Sequence, residues 1–100
     1  MTRIARYGHM TARKGHGEEV AQILLDAAEK LASNPGCELY LINRERENPD
    51  AIWVTELWRS QADLDGVAAQ VRSDPGAARV MELVADFEVV ELQLLGGKGP

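Results

Sequence analysis

The segment Ala51–Trp58 constrains the fold of this chain most, because apolar residues occupy both alternating positions of an extended strand. Its β-branched and aromatic residues favour a strand. Successive side chains of a strand point to opposite faces of a sheet. Ile52 and Val54 therefore face one side, while Trp53 and Leu57 face the other. A sheet built around this segment needs an apolar cover on both sides.

Turn signals and residue patterns predict three further strands, at residues 4–12, 37–46 and 87–95. The turn Asn48-Pro49-Asp50 joins the second and third strands into a hairpin. Between the first two strands, apolar residues recur on one helical face as far as Leu31, and Asn34-Pro35-Gly36 ends this helix.

Two more helices follow the third strand. Ser60 is a candidate N-cap with Asp63 as its capping-box partner. The apolar face of this second helix consists of Leu64, Val67, Ala68 and Val71. Asp74-Pro75 is typical of another helix start, and Val80, Met81 and Val84 are expected to point inward from that third helix.

The resulting β-α-β-β-α-β order predicts an α+β, ferredoxin-like fold with a four-stranded antiparallel sheet. Right-handed crossovers place both main helices on one face of that sheet. The other face remains apolar, and a second copy of the same sheet is its simplest cover. We therefore predict a homodimer, with Tyr40 and Trp53 at its interface.

Length and composition narrow the classes of function. The 100 residues suit one domain, residues 1–100, with a flexible tail at 96–100. The net charge of −5 and the scattered basic residues argue against nucleic acid and membrane partners. One cysteine and two histidines give no metal framework, and no phosphate-binding loop is present, so we expect neither metal nor cofactor. No signal peptide follows Met1 and no segment could span a membrane, so we expect a cytoplasmic protein.

The stretch Glu56-Leu57-Trp58-Arg59-Ser60-Gln61-Ala62-Asp63-Leu64 resembles a segment of antibiotic biosynthesis monooxygenase (ABM) domains. The first strand through Lys14-Gly15 and the junction Asn34-Pro35-Gly36-Cys37 are similar too. The resemblance implies a dimeric α/β barrel formed from two ferredoxin-like sheets. It also implies membership of a group that includes cofactor-free quinol and anthrone oxygenases, haem-degrading enzymes and proteins without known activity.

The catalytic sets of those relatives are not carried over intact. The histidine that many members have in the second helix is Val67 here, where haem-degrading members have a tryptophan. The first-strand asparagine of those haem-degrading members corresponds to Gly8. The asparagine and tyrosine of the anthrone oxygenase type correspond to Val54 and Leu64. Trp58 is retained.

Four residues are candidates for catalysis. Trp58 could wall a pocket, and Glu56 shares its strand parity and could act there as a base of raised pKa. His9 could accept a phenolic proton, and Arg79, which lies near a family arginine, could hold an anionic oxygen. Each also has a structural interpretation: a core tryptophan, a carboxylate paired with an arginine, an interface histidine and a solvated arginine.

Two functions follow. The first is a cofactor-free monooxygenase for a small aromatic quinol or anthrone, in which the protein removes a proton, orients the ring and excludes water. Leu64, Val67 and Met81 would line that pocket beside Trp58. The alternative is a non-catalytic module of the same dimeric fold that binds a small molecule or supports assembly.

Overall fold

A computed structural model describes residues 3–99 and contains one antiparallel sheet with helices on one face. The elements in that range are β1 Ile4–Ala12, α1 Gly17–Leu31, β2 Cys37–Arg44, β3 Ala51–Trp58, α2 Gln61–Val71, α3 Pro75–Leu83 and β4 Val84–Gln93. The strand order is β2-β3-β1-β4, and every neighbouring pair is antiparallel. The predicted ferredoxin-like fold is confirmed.

Side-chain caps fix where the helices begin. The Ser60 hydroxyl accepts the Asp63 backbone N–H and donates to the Asp63 carboxylate. Asp74 accepts the Gly76 N–H at the start of α3, with Pro75 in the first turn. α1 is different, because its first N–H, from Gly17, is bound by Asp50 of the β2–β3 turn. This contact ties the hairpin to the helix.

The main core lies between α1, α3 and the centre of the sheet. Val20 of α1 and Ile52 of β3 are fully buried in it. Ala12, Val80, Leu83 and Val84 complete this buried cluster. α2 packs separately over β3, and its Leu64 is buried.

Three boundary or orientation predictions need correction. β2 ends at Arg44 rather than residue 46, because the Ala51 N–H binds the Asn48 carbonyl within the turn instead of continuing the pairing with β2. β4 runs from Val84 to Gln93 rather than over 87–95, since α3 continues directly into the strand. Val84 is buried as predicted, but Met81 is 59% exposed.

The orientation of Tyr40 is also corrected. Tyr40 pairs with Glu56, whereas Trp53 pairs with Asn43, so Tyr40 and Trp53 lie on opposite faces of the sheet. The register between β2 and β3, which includes an irregularity between Cys37 and Leu39, decides which face Tyr40 joins. Tyr40 faces the helices.

The sheet face opposite the helices is apolar. Tyr7, Leu41, Trp53, Val90 and Leu92 are 42–50% exposed on it. Within residues 3–99 no helix is long and apolar enough to cross a membrane. Residues 94–99 contain no helix or strand, and the predictions that involve Met1 and Pro100 lie outside the described range.

Candidate functional site

A row of polar side chains crosses the helix-facing side of the sheet. Tyr40 on β2 is opposite Glu56 on β3, Glu56 is opposite Arg6 on β1, and Arg6 is opposite Glu91 on β4. Directly paired residues of antiparallel strands share a face, so the four side chains lie side by side. The row brings together two acids, a guanidinium and a phenol at one level of the sheet.

Glu56 is the buried member of this row. Its Oε1 accepts a hydrogen bond of 2.8 Å from the indole Nε1 of Trp58, which is itself only 1% exposed. Burial raises the pKa of the Glu56 carboxyl, while the Trp58 hydrogen bond and the Arg6 charge oppose that rise. A carboxylate in such surroundings can accept a proton at a higher pH than a solvated one.

Arg6 lies between two carboxylates without bonding closely to either. Its Nη1 is 3.7 Å from Glu56 Oε1, and its Nε is 3.8 Å from Glu91 Oε1. The Nε atom is buried and has no hydrogen-bond partner among residues 3–99. The Arg6 side chain is 25% exposed and lines the cavity described below, so the rest of this guanidinium is suited to receive an anionic oxygen from a ligand.

A cavity of about 450 Å³ lies above this row. Arg6, Glu56, Trp58 and Tyr40 line it from the sheet. Its apolar wall includes Ala27 and Leu31 of α1 with Leu64, Val67, Ala68 and Val71 of α2. The volume is within the range of about 300–1,000 Å³ that small-molecule sites occupy.

Tyr40 is the phenol at the end of the row. Burial, followed by the nearby charge of Glu56, raises the pKa of Tyr40 to about 12. The side chain is therefore neutral at physiological pH and offers a hydroxyl and a ring face to the cavity.

Four of the sequence-predicted site residues meet in this cavity: Glu56, Trp58, Leu64 and Val67. Three others do not. Met81 lines a second, smaller cavity, and Arg79 is exposed on α3, where it donates to Glu19 and Glu82. His9 lies on the opposite face of the sheet.

His9 belongs to a cluster on that open face. Its ring stacks on Trp53 with the ring centroids 4.2 Å apart, and its Nε2 is 3.5 Å from Glu45. The Trp53 indole donates to the same carboxylate over 2.9 Å. The sheet therefore separates His9 from the cavity and from Glu56.

Sequence reasoning missed Arg6 and misplaced Tyr40. Both share strand parity with recognisable inward residues, Met10 and Ile42 respectively. Only the cross-strand register shows that they flank Glu56. Among residues 3–99 no group of three or more His, Cys, Asp or Glu side chains could hold a metal ion.

Comparison with models of protein families assigns the chain to a family. The model described as antibiotic biosynthesis monooxygenase (ABM) matches residues 3–74. The chain belongs to the ABM family. Comparison with curated proteins found no match.

Several solved structures share the whole fold. A protein from Chloroflexus aurantiacus J-10-fl that carries the same family description is 29% identical, with a TM-score of 0.77 and 97% of each chain covered. SnoaB, a cofactor-independent oxygenase from Streptomyces nogalater solved as a mutant, is 18% identical, with a TM-score of 0.81 and 95% of each chain covered. Rv0793 from Mycobacterium tuberculosis is 20% identical, with a TM-score of 0.79 over 97% of this chain and 99% of its own.

Proposed function

We propose that this ABM protein is a cofactor-independent monooxygenase that oxidises a small aromatic quinol or anthrone with molecular oxygen. The observation that carries the proposal is the Glu56 carboxyl, which is buried in the floor of the cavity, beside the Arg6 guanidinium and facing the apolar side chains of α1 and α2. The family membership supports an oxygenase. SnoaB supports it at the level of the fold, since a protein with this architecture is named as a cofactor-independent oxygenase.

In this mechanism Glu56 is the general base. It removes the acidic proton of the bound quinol or anthrone, and its raised pKa brings it closer to the pKa of the substrate. The Arg6 guanidinium, which lines the cavity, receives the negative oxygen of the resulting phenolate or enolate. Trp58 closes the floor of the cavity and orients the Glu56 carboxylate through its indole N–H.

Oxygen then reacts with the electron-rich anion, and the substrate supplies the electrons. For an anthrone, one oxygen atom becomes the new carbonyl oxygen of the anthraquinone, and the other leaves in water with the two hydrogens of the oxidised carbon. For a hydroquinone, the products are a hydroxyquinone and water. The apolar walls, Leu64 and Val67 among them, exclude bulk water from the reactive anion.

The test is oxygen uptake with anthrone and with simple hydroquinones, together with identification of the product. Wild type should consume one oxygen molecule per product formed. Glu56→Gln should lose about 10²–10⁴-fold in rate, the usual contribution of a general base. His9→Ala and Arg79→Ala serve as controls, because both side chains lie outside the cavity, and they should stay within about twofold of wild type.

Two other outcomes of this experiment would contradict the proposed mechanism. A wild-type rate equal to that of buffer, with binding of the same compounds retained, would replace this proposal with the non-catalytic binding module. A large loss in His9→Ala with none in Glu56→Gln would move the chemistry to the open face of the sheet.

We also propose that the protein is a homodimer in which two open sheet faces pack together as a dimeric α/β barrel. The support is the row of large apolar side chains left exposed on that face, including Tyr7, Trp53 and Val90. Apolar patches of this kind mark interaction surfaces.

A further inference from the structure

A second cavity of about 270 Å³ adjoins the first on the helix-facing side of the sheet. It lies between α1, α3 and β4. Apolar side chains that line it, and not the first cavity, include Ile23, Val80, Met81, Phe87 and Val89.

The two cavities are neighbours with a common boundary. Ala27, Tyr40, Val71 and Asp74 line both. Tyr40 and Asp74 are also the only polar side chains among the residues that line the second cavity, all of which lie within residues 3–99. All the polar groups of the second cavity are therefore at its junction with the first.

Size and chemistry both indicate that the second cavity is an extension of the first. Its volume falls just below the range of about 300–1,000 Å³ for independent small-molecule sites, whereas the first cavity is within that range. A site that fixes a ligand also needs convergent polar groups to orient it. Beyond the junction, the second cavity offers apolar contact alone.

We propose that the substrate carries a flexible apolar arm on its aromatic ring, and that this arm occupies the second cavity. The ring lies over Glu56, and the arm passes Tyr40 to reach Val80 and Val89. The inference rests on the proposed function for the position of the ring. It deepens that function by naming a substrate class: quinols or anthrones that carry an alkyl or prenyl chain rather than bare rings.

The outer rim of the second cavity supports an apolar occupant. Met81, Phe87 and Val89 are 59%, 51% and 40% exposed there. Burial of such surface contributes about 25 cal/mol per Å², so an arm that covers these side chains would gain affinity from both sides of the contact.

The test measures affinity for 2-alkylhydroquinones, from methyl to octyl, by calorimetry under nitrogen so that oxidation does not interfere. In wild type, Kd should fall about two- to fourfold for each added methylene until the arm fills the cavity. Ala77→Phe places a ring in the second cavity and should abolish this dependence while leaving methylhydroquinone binding unchanged.

The matched control is Ala78→Phe, because Ala78 is the exposed neighbour of Ala77 on α3 and lines neither cavity. It should retain the wild-type dependence on chain length. If Ala77→Phe does not fold, Met81→Trp tests the same cavity from its exposed rim. Equal affinities from methyl to octyl in wild type, or an unchanged dependence in a folded cavity-filling variant, would overturn the inference.

Oxygen uptake by the same series separates this inference from the proposed function. Chain-length-dependent binding without oxygen uptake would leave the inference standing and remove the oxygenase. Oxidation of every hydroquinone, with the same affinity at every chain length, would support the oxygenase and overturn the inference about the apolar arm.

Discussion

Glu56 and Trp58 form a pair within a single strand, and the sequence predicted correctly that they share a face. The period of two in a strand is enough for that prediction. Arg6 is fifty positions earlier in the chain, and nothing local connects it to Glu56. The sequence therefore predicted the two site residues that belong to β3. The cation, Arg6, could be placed beside them only from the register between β1 and β3.

The raised pKa of Glu56 predicts a pH-dependent cost to stability. Burial favours the neutral acid, so the native state binds a proton more tightly than the unfolded chain does. The stabilisation that comes from protonated Glu56 is complete below the pKa of this carboxyl in the unfolded chain. It is lost as the pH rises through the higher pKa of the native state. Glu56→Gln removes this titration, so wild type should lose stability relative to the variant as the pH rises from 4 to 8.

Urea denaturation of both proteins across that range measures the difference. Glu47→Gln, a change at an exposed carboxylate in the hairpin turn, controls for the loss of one negative charge. A wild-type-minus-variant difference that stays constant or grows with pH would show that the Glu56 carboxyl is not buried as described.

At the scale of the elements, local signals located the helices well. Ser60 and Asp74 cap α2 and α3 as predicted, because a cap depends on the residues of one turn. The end of β2 and the face of Tyr40 were predicted less well, because they depend on pairing across the β2–β3 hairpin, and the start of β4 depends on its pairing with β1. Met81 illustrates the same limit, since it lies on α3 beside a cavity that only the tertiary packing creates.

Gly17 and Gly66 make a matched pair of helix glycines. A Cβ at Gly17 would collide with the carbonyl oxygen of Pro49 and with Asp50, whereas a Cβ at Gly66 would meet nothing within 4 Å. Gly17→Ala should therefore lower the free energy of unfolding by about 1–3 kcal/mol, because the hairpin turn must move away from α1. Gly66→Ala should raise the free energy of unfolding by about 0.5–1 kcal/mol, since alanine is the better helix former.

Thermal or chemical denaturation of the two variants beside wild type gives both numbers. Stabilisation by Gly17→Ala would mean that the β2–β3 turn does not pack on the start of α1. Destabilisation by Gly66→Ala would mean that α2 has a neighbour at that position.

At the scale of the whole molecule, the sheet has two apolar faces and one layer of helices. Alternation along β3 predicted this from the sequence, and the exposure of Trp53, beside buried Ile52, agrees. That a second copy of the chain covers the open face is still a prediction.

We expect the protein to sediment as a dimer at micromolar concentration, because the open face is too apolar to remain wet. Val90→Glu places a charge among the exposed apolar side chains of that face, next to Tyr7 on the neighbouring strand, and should shift the protein to monomer. Leu25→Glu, at a similarly exposed leucine on α1, should remain dimeric. A monomeric wild type, or dissociation by Leu25→Glu in place of Val90→Glu, would contradict this mode of assembly.

The proposed function requires an aromatic ligand to bind over the polar row between the sheet and the helices. A crystal structure with bound anthraquinone, the unreactive product of anthrone oxidation, would show where such a ligand lies. We expect the ring over Glu56 in the first cavity, with a carbonyl oxygen within about 3.2 Å of the Arg6 guanidinium. Anthraquinone bound instead on the open sheet face beside His9 and Trp53, with the cavity holding only water, would contradict it.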